Sequence, residues 1–289
     1  MLRGNRPVTE EEAAAQSSSG GHSDLRVRVA TGAVYFVVYT ACVIASEWST
    51  MVIMAVTAGL SASEFYAMLR SDAKLPNELF GVIGATCYPI AVFFFDWEGA
   101  MFISLVLLVA LLVWYVFWLR ARIADVAVSF FGAAYTGLLL CGLVVVRCAR
   151  PDVWGGVIVF LLLLSIWAND AAAYLVGSRI GKHKLAPKIS PKKSWEGFLA
   201  GLLVSMAIWC VISFVPGVVM NIPEALGFGL VCGVMGVLGD LAESRMKRNS
   251  GVKDSGTLLP GHGGMLDRSD SMFLVSIVSA IFLVGLNLI

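Results

Sequence analysis

Residues 157–181 read VIVFLLLLSIWANDAAAYLVGSRIG. About 20 mostly apolar residues cross the hydrocarbon layer of a bilayer, so this run is long enough to span one. It nevertheless holds Asn169 and Asp170 about eight residues before its basic end, roughly 12 Å inside at 1.5 Å per residue. A carboxylate at that depth costs at least a few kcal/mol unless it faces protein or water. A polar contact between helices would satisfy it, and so would a ligand or ion site. The neighbouring segments favour the second reading.

The rest of the chain has the same character. Of its 289 residues 58% are hydrophobic and 14% charged, against about 45–50% and 25% in soluble domains. An all-α, polytopic membrane protein is expected, and a soluble domain is excluded. Nine spans are predicted, at about 29–46, 50–69, 79–95, 99–119, 123–146, 154–177, 195–215, 225–243 and 271–289. The organisation expected is a disordered cytoplasmic tail over 1–27, a five-helix membrane region over 28–150 and a four-helix catalytic region over 151–289. The tail is polar and rich in Gly and Ser, and it lacks the short apolar core and cleavage site of a signal peptide. The first span is therefore read as an anchor.

Nine spans place nineteen of the 21 Lys and Arg residues on one side and only Arg147 and Arg150 on the other. The Lys/Arg bias marks the cytoplasmic side. The N-terminus and the loops 178–194 and 245–268 are expected there, and the C-terminus opposite. The net charge of +1 says little about partners. The six cysteines lie in or beside spans with no CxxC spacing, which implies neither a disulfide framework nor a zinc site.

Up to about residue 150 no ionisable residue lies deep in a span, and Glu64 reads as a helix-end charge. The eighth span is different. Asp240, Glu243, Ser244 and Lys247 recur at i, i+3, i+4 and i+7 and share one helical face. A Glu243–Lys247 pair would explain two of the four and leave Asp240 without a partner. Next comes KDSGTLLPGHGGMLDRSD, residues 253–270. Its glycines permit left-handed backbone and let N–H groups approach a bound group, an arrangement that suits phosphate oxygens. Asp267 and Asp270 open the ninth span with Arg268 between them, more than an N-cap requires. The loop GSRIGKHKLAPKISPKKSWEG, residues 177–197, holds six Lys and Arg within fifteen residues. Ser190 and Pro191 read there as the cap and first residue of the seventh helix. Converging carboxylates need neutralisation, which a hard divalent ion supplies through oxygen ligands. Carboxylates, cations and backbone donors together equip phosphoryl or nucleotidyl transfer. The residues alone reach phosphate chemistry on a membrane-embedded substrate, served from the cytosol.

Residues 244–270, SRMKRNSGVKDSGTLLPGHGGMLDRSD, resemble the signature of the phosphatidate cytidylyltransferase (CDP-diacylglycerol synthase) family. The matching positions are Ser244, Lys247, Arg248, Lys253, Asp254, His262, Gly263, Gly264, Asp267, Arg268 and Asp270, while Ser269 stands where the family usually has an apolar residue. NDAAAYLVG and KISPKKSWEG also resemble that family's upstream segments, and the likeness covers roughly 165–275. The resemblance implies CTP + phosphatidate → CDP-diacylglycerol + pyrophosphate at the cytoplasmic face, in phospholipid biosynthesis.

By that resemblance Asp267, Lys253, Asp254, His262 and Arg268 are the catalytic candidates. Asp267 and Asp240, then Asp270 and Asp170, are the candidate Mg²⁺ ligands, and a second, monovalent cation is left open. Ser244, Lys247, Arg248, Lys192, Lys193, Asn169, Gly263 and Gly264 are the candidate substrate-binding residues. His262 is as readily a residue that shapes the loop. CTP, phosphatidate and membrane lipid are the expected partners, with no nucleic acid and with a homodimer as an option. The expected location is a bacterial plasma (inner) membrane. A CTP-dependent lipid kinase, an ion-coupled transporter and a scaffold without chemistry are the rival readings. Asp267→Asn is expected to abolish transfer from labelled CTP while the protein still inserts and folds, and wild-type turnover in that variant would refute the role.

Overall fold

The computed structural model describes residues 29–70, 76–258 and 263–289. The tail expected over 1–27 and His262 lie outside the described residues. The helices are α1 (Val29–Ala45), α2 (Glu47–Arg70), α3 (Glu78–Phe117), α4 (Ile123–Ala133), α5 (Cys141–Ala149), α6 (Val153–Ile180), α7 (Trp195–Ile212), α8 (Ile222–Asn249) and α9 (Leu266–Leu283). A short hairpin, β1 (Lys184–Ala186) and β2 (Ser190–Ser194), joins α6 to α7.

Among the described residues, six helical stretches are long and apolar enough to cross a membrane, with α4 and α5 forming one of them. Nine spans were expected. The difference lies in α1, which is short, in α9, whose first turns are charged, and in α3. The 40 residues of α3 are two helical segments joined by a break at Phe95 and Asp96, where Asp96 has φ 48°. Tyr88 and Ser104 hydroxyls lie 2.8 Å apart, although sixteen residues of straight helix would separate them by about 24 Å. The chain therefore doubles back at Asp96, and the predicted spans 79–95 and 99–119 meet at that break.

Between α4 and α5 the chain makes one π turn, Ala134–Leu138. Such a turn disturbs the regular ladder and leaves backbone groups needing partners. Just beyond it Ser276 of α9 adds a tie to the start of α5: its Oγ accepts from the Leu143 N–H at 2.9 Å and donates to the Leu140 carbonyl at 3.1 Å, two groups that also bond each other at 3.2 Å. The hydroxyl and both backbone groups are buried, so α9 is pinned deep in the bundle, ten residues past its first residue. A single apolar core runs through residues of both halves, from Tyr39 and Met54 to Trp209 and Phe273. Arg147, predicted in a loop, is buried at the end of α5 and donates to the carbonyls of Val43 and Arg150.

Two boundaries differ from expectation near the site. Ser190 and Pro191 belong to β2, and the cap of α7 is Ser194, whose Oγ accepts from the Gly197 N–H at 3.2 Å. Lys184 pairs with Ser194 and Ala186 with Ser190 across the hairpin; a two-stranded ribbon has only edge strands, which tolerate proline. In addition α8 runs to Asn249 rather than 243, and α9 starts at Leu266 rather than 271. The charged stripe of α8 is thus fully helical, and Asp267 and Asp270 stand in the first turns of α9.

Ser276→Ala removes one partner each from the Leu140 carbonyl and the Leu143 N–H, which keep a 3.2 Å hydrogen bond to each other. It is expected to destabilise the protein by about 0.5–1.5 kcal/mol, seen as a lower melting temperature in detergent, and an unchanged melting temperature would contradict this account of the tie between α9 and α5.

Candidate active site

The charged residues of α8 and α9 meet because the two helices approach closely at Gly239. A Cβ there would sit 2.5 Å from the Asp270 carbonyl oxygen and 3.1 Å from the Cα of Ser271. The neighbouring Asp240 is thereby brought beside Asp270, and Asp170 of α6 is close enough for all three carboxylates to act on one another electrostatically.

Two lysines answer that charge. Lys193 of the hairpin lies 2.6 Å from Asp240 Oδ2, and the Ser244 hydroxyl donates to Asp240 Oδ1 at 3.1 Å. Asp240 therefore does have a partner, supplied by another element. Lys247 Nζ lies 2.6 Å from both Glu243 Oε2 and Asp267 Oδ1, with Glu243 wholly buried. Asp267 Oδ2 also accepts from the Ser255 N–H at 3.0 Å and the Gly264 N–H at 2.8 Å, with the Ser255 hydroxyl 2.9 Å away. The loop reaches Asp267 in this way because Gly263 has φ 84°, a conformation that L side chains rarely adopt.

Two cavities open on this cluster. The larger, about 700 Å³, is polar and lined by Lys184, Lys192, Lys193, Asp240, Lys247 and Asp254 among others. The smaller, about 470 Å³, runs between apolar and aromatic residues of α1 and α6: Tyr35, Phe36, Leu164 and Trp167. Asp170, Asp267, Arg268 and Asp270 line both. A lysine-rich chamber and an apolar one therefore share a wall of three carboxylates and one guanidinium.

The oxygen-only donors suit a hard cation such as Mg²⁺. Asp240 and Asp267 are held by ammonium groups, whereas among the described residues Asp170 and Asp270 form no ion pair. Two carboxyl groups without ion-pair partners at the junction offer oxygen ligands for a further cation, so the residues fit such an ion. Among the described residues no three His, Cys, Asp or Glu already stand in a metal-holding arrangement.

The other predicted residues fall in three places. Ser244 joins the cluster through Asp240, and Gly263 and Gly264 shape the turn at Asp267. Arg248 and Lys253 are exposed and line neither cavity, Arg248 donating to the Val252 carbonyl at 3.2 Å. Asn169 lies buried in the seam of α6, α7 and α8, against Gly201 and Gly236, and off both cavities. Ser269, the departure from the family pattern, is buried in α9.

Glu64, read from the sequence as a helix-end charge, instead reaches the loop before α9. Its Oε2 accepts from the Leu266 N–H at 2.8 Å and lies 3.2 Å from the Ser255 hydroxyl. Its signal was faint: a lone carboxylate in an otherwise uncharged stretch of span.

Fold and site define a helical, polytopic membrane protein with an acidic cluster between a lysine-lined and an apolar chamber. The description "Cytidylyltransferase family" matches residues 26–286, and the chain belongs to that family. A phosphatidate cytidylyltransferase of Bacillus subtilis (strain 168) is 30% identical over 255 residues, covering 87% of this chain and 95% of that protein. Those of Staphylococcus haemolyticus (strain JCSC1435) and Staphylococcus aureus (strain COL) are 41% identical over 156 residues, 54% of this chain and 58% of each relative.

Lys247→Ala would strand two carboxylates, one wholly buried, and is expected to destabilise the fold by about 3–5 kcal/mol. Lys193→Ala unpairs only the half-exposed Asp240 and should cost much less. Thermal unfolding of both variants in nanodiscs tests this, and equal melting temperatures would contradict it.

Proposed function

We propose that the chain transfers the cytidylyl group of CTP to phosphatidate, giving CDP-diacylglycerol and pyrophosphate. The observation that carries this reading is the pair of chambers of opposite character joined at Asp170, Asp267, Arg268 and Asp270. Reactants of opposite solubility, a polyanionic nucleotide and a membrane lipid, need such a junction.

The triphosphate lies in the larger chamber, its charge met by Lys184, Lys192 and Lys193. The lipid phosphate enters at the junction from the smaller chamber, with acyl carbon against Phe36, Leu164 and Trp167. Arg268 lines both spaces and orients the lipid phosphate toward the α-phosphorus. A lipid phosphate oxygen forms the new P–O bond, the α–β P–O bond breaks, and pyrophosphate leaves into the lysine-lined chamber. The nucleophile is already ionised near neutral pH, so no side chain has to take a proton. The barrier is repulsion between two anions, and positioned cations lower it. Asp267 and Asp240, with Asp270 and Asp170, would hold Mg²⁺, which supplies neutralisation of the phosphate charge.

The same proposal places nine crossings in a bacterial plasma membrane, with α3 contributing two and α1 and α9 one each. The fold-back at Asp96 and the one-sided Lys/Arg distribution support that count, with the site facing the cytoplasm. The bacterial origin of the relatives supports the location.

Purified protein given phosphatidate, labelled CTP and Mg²⁺ is expected to yield a lipid-soluble cytidine product and pyrophosphate. Release of CDP, with label from the γ-phosphate in the lipid, would instead identify a CTP-dependent kinase and contradict the proposal.

A further inference from the structure

Glu64 stands apart from the residues placed so far. It comes from α2, 191 positions before Ser255 and 202 before Leu266. Yet the loop before α9 is built around it. The Leu266 N–H, one of the groups a helix leaves unpaired at its start, donates to Glu64 Oε2 at 2.8 Å. The Ser255 hydroxyl lies between two carboxylates, 3.2 Å from Glu64 Oε2 and 2.9 Å from Asp267 Oδ2. A Cβ at Gly264 would collide with Glu64 Oε2 and with Ser255 Oγ, and one at Gly256 would lie 2.6 Å from Glu64 Oε1. The loop thus passes the carboxyl group at backbone distance on two sides. Glu64 Oε1 is itself buried and, among the described residues, has no hydrogen-bond partner.

Of the residues around Asp267, Ser255 and Leu266 hydrogen-bond this one side chain and Gly264 packs against it. Ser255 gives Asp267 its N–H and hydroxyl contacts, Gly264 gives its N–H, and Leu266 is its immediate neighbour in the chain. We propose that Glu64 is a positioning residue for Asp267: by accepting from the Leu266 N–H and packing against Ser255 and Gly264 it fixes the segment whose Ser255 and Gly264 N–H groups aim the Asp267 carboxylate at the cavity junction. Affinity for a divalent cation at that junction then depends on a side chain from the other half of the molecule. The inference rests on the reading of Asp267 as a cation ligand. Partners that orient ligating side chains are typically worth about 10–100-fold in metal affinity.

The test is Mn²⁺ titration followed by electron paramagnetic resonance, on the full-length protein in nanodiscs, with melting temperatures measured alongside. Glu64→Ala is expected to weaken Mn²⁺ binding by about 10–100-fold. Glu64→Gln, which keeps an acceptor for both the Leu266 N–H and the Ser255 hydroxyl, should recover most of it. Glu64→Asp keeps the charge but shortens the reach, and it should lose affinity as the alanine variant does. It carries the test if the alanine variant does not fold. Asp267→Asn is the control. Wild-type affinity in folded Glu64→Ala or Glu64→Asp, with binding lost in Asp267→Asn, overturns the role of Glu64 and leaves that of Asp267 standing. Unchanged binding in Asp267→Asn overturns both.

Discussion

Negative charge gathered in a poorly solvated place has to be compensated there, and this constraint organises the structure. Asp170, Asp240, Asp267 and Asp270 come from three helices and line one cavity, with Glu243 buried beside them. In a medium of low dielectric constant such a group repels itself strongly and binds cations strongly. Lys193 and Lys247 supply two ammonium groups, each within 2.6 Å of a carboxylate oxygen. Several features follow from holding those pairs. The α8 helix continues to Asn249, which keeps Lys247 one turn from Glu243. Gly239 lets α8 and α9 touch. The hairpin between α6 and α7 carries Lys193 back over Asp240.

The same compensation explains why this site suits joining two phosphates. Lysines that neutralise carboxylates in one arrangement are available to phosphate oxygens in another, with little change in the charge of the region. The chambers add selectivity by solubility, since one wall is rich in lysine and the other in aromatic and aliphatic side chains. The N-terminal half takes part in both. The α1 helix supplies Tyr35 and Phe36 to the apolar chamber, and α2 supplies Glu64 to the loop at Asp267. Ser276 then ties α9 to the start of α5 in that half, so the first turns of α9 start from a fixed base.

Much of this could be read from the sequence, and for a physical reason. Charges are rare in apolar spans, so Asp170 and the stripe Asp240, Glu243, Ser244, Lys247 stand out by contrast and by helical spacing. The glycine-rich approach to Asp267 was legible because glycine readily takes the positive φ found at Gly263, which other residues rarely adopt. Three things were less visible. Glu64 has no periodic companion, and its partners lie about 200 positions away, so nothing local separates it from a helix-end charge. Asn169 sits beside Asp170 in sequence but faces a glycine seam, because adjacent residues on a helix point about 100° apart. Ser190 and Pro191 have the chemistry of a helix start, but four residues later Ser194 caps α7 instead. The span count depends on Asp96, where non-helical backbone divides α3 into two segments.

The central claim is that nucleotide and lipid phosphates meet at one cation-binding junction. Its most direct test is phosphorus NMR on the protein in nanodiscs with Mn²⁺, phosphatidate and a CTP analogue whose α–β link cannot be cleaved. The account predicts that Mn²⁺ broadens the α-phosphorus of the nucleotide and the lipid phosphorus together, and that both effects vanish in Asp267→Asn. Broadening of only one of the two, or of both without dependence on Asp267, would contradict it.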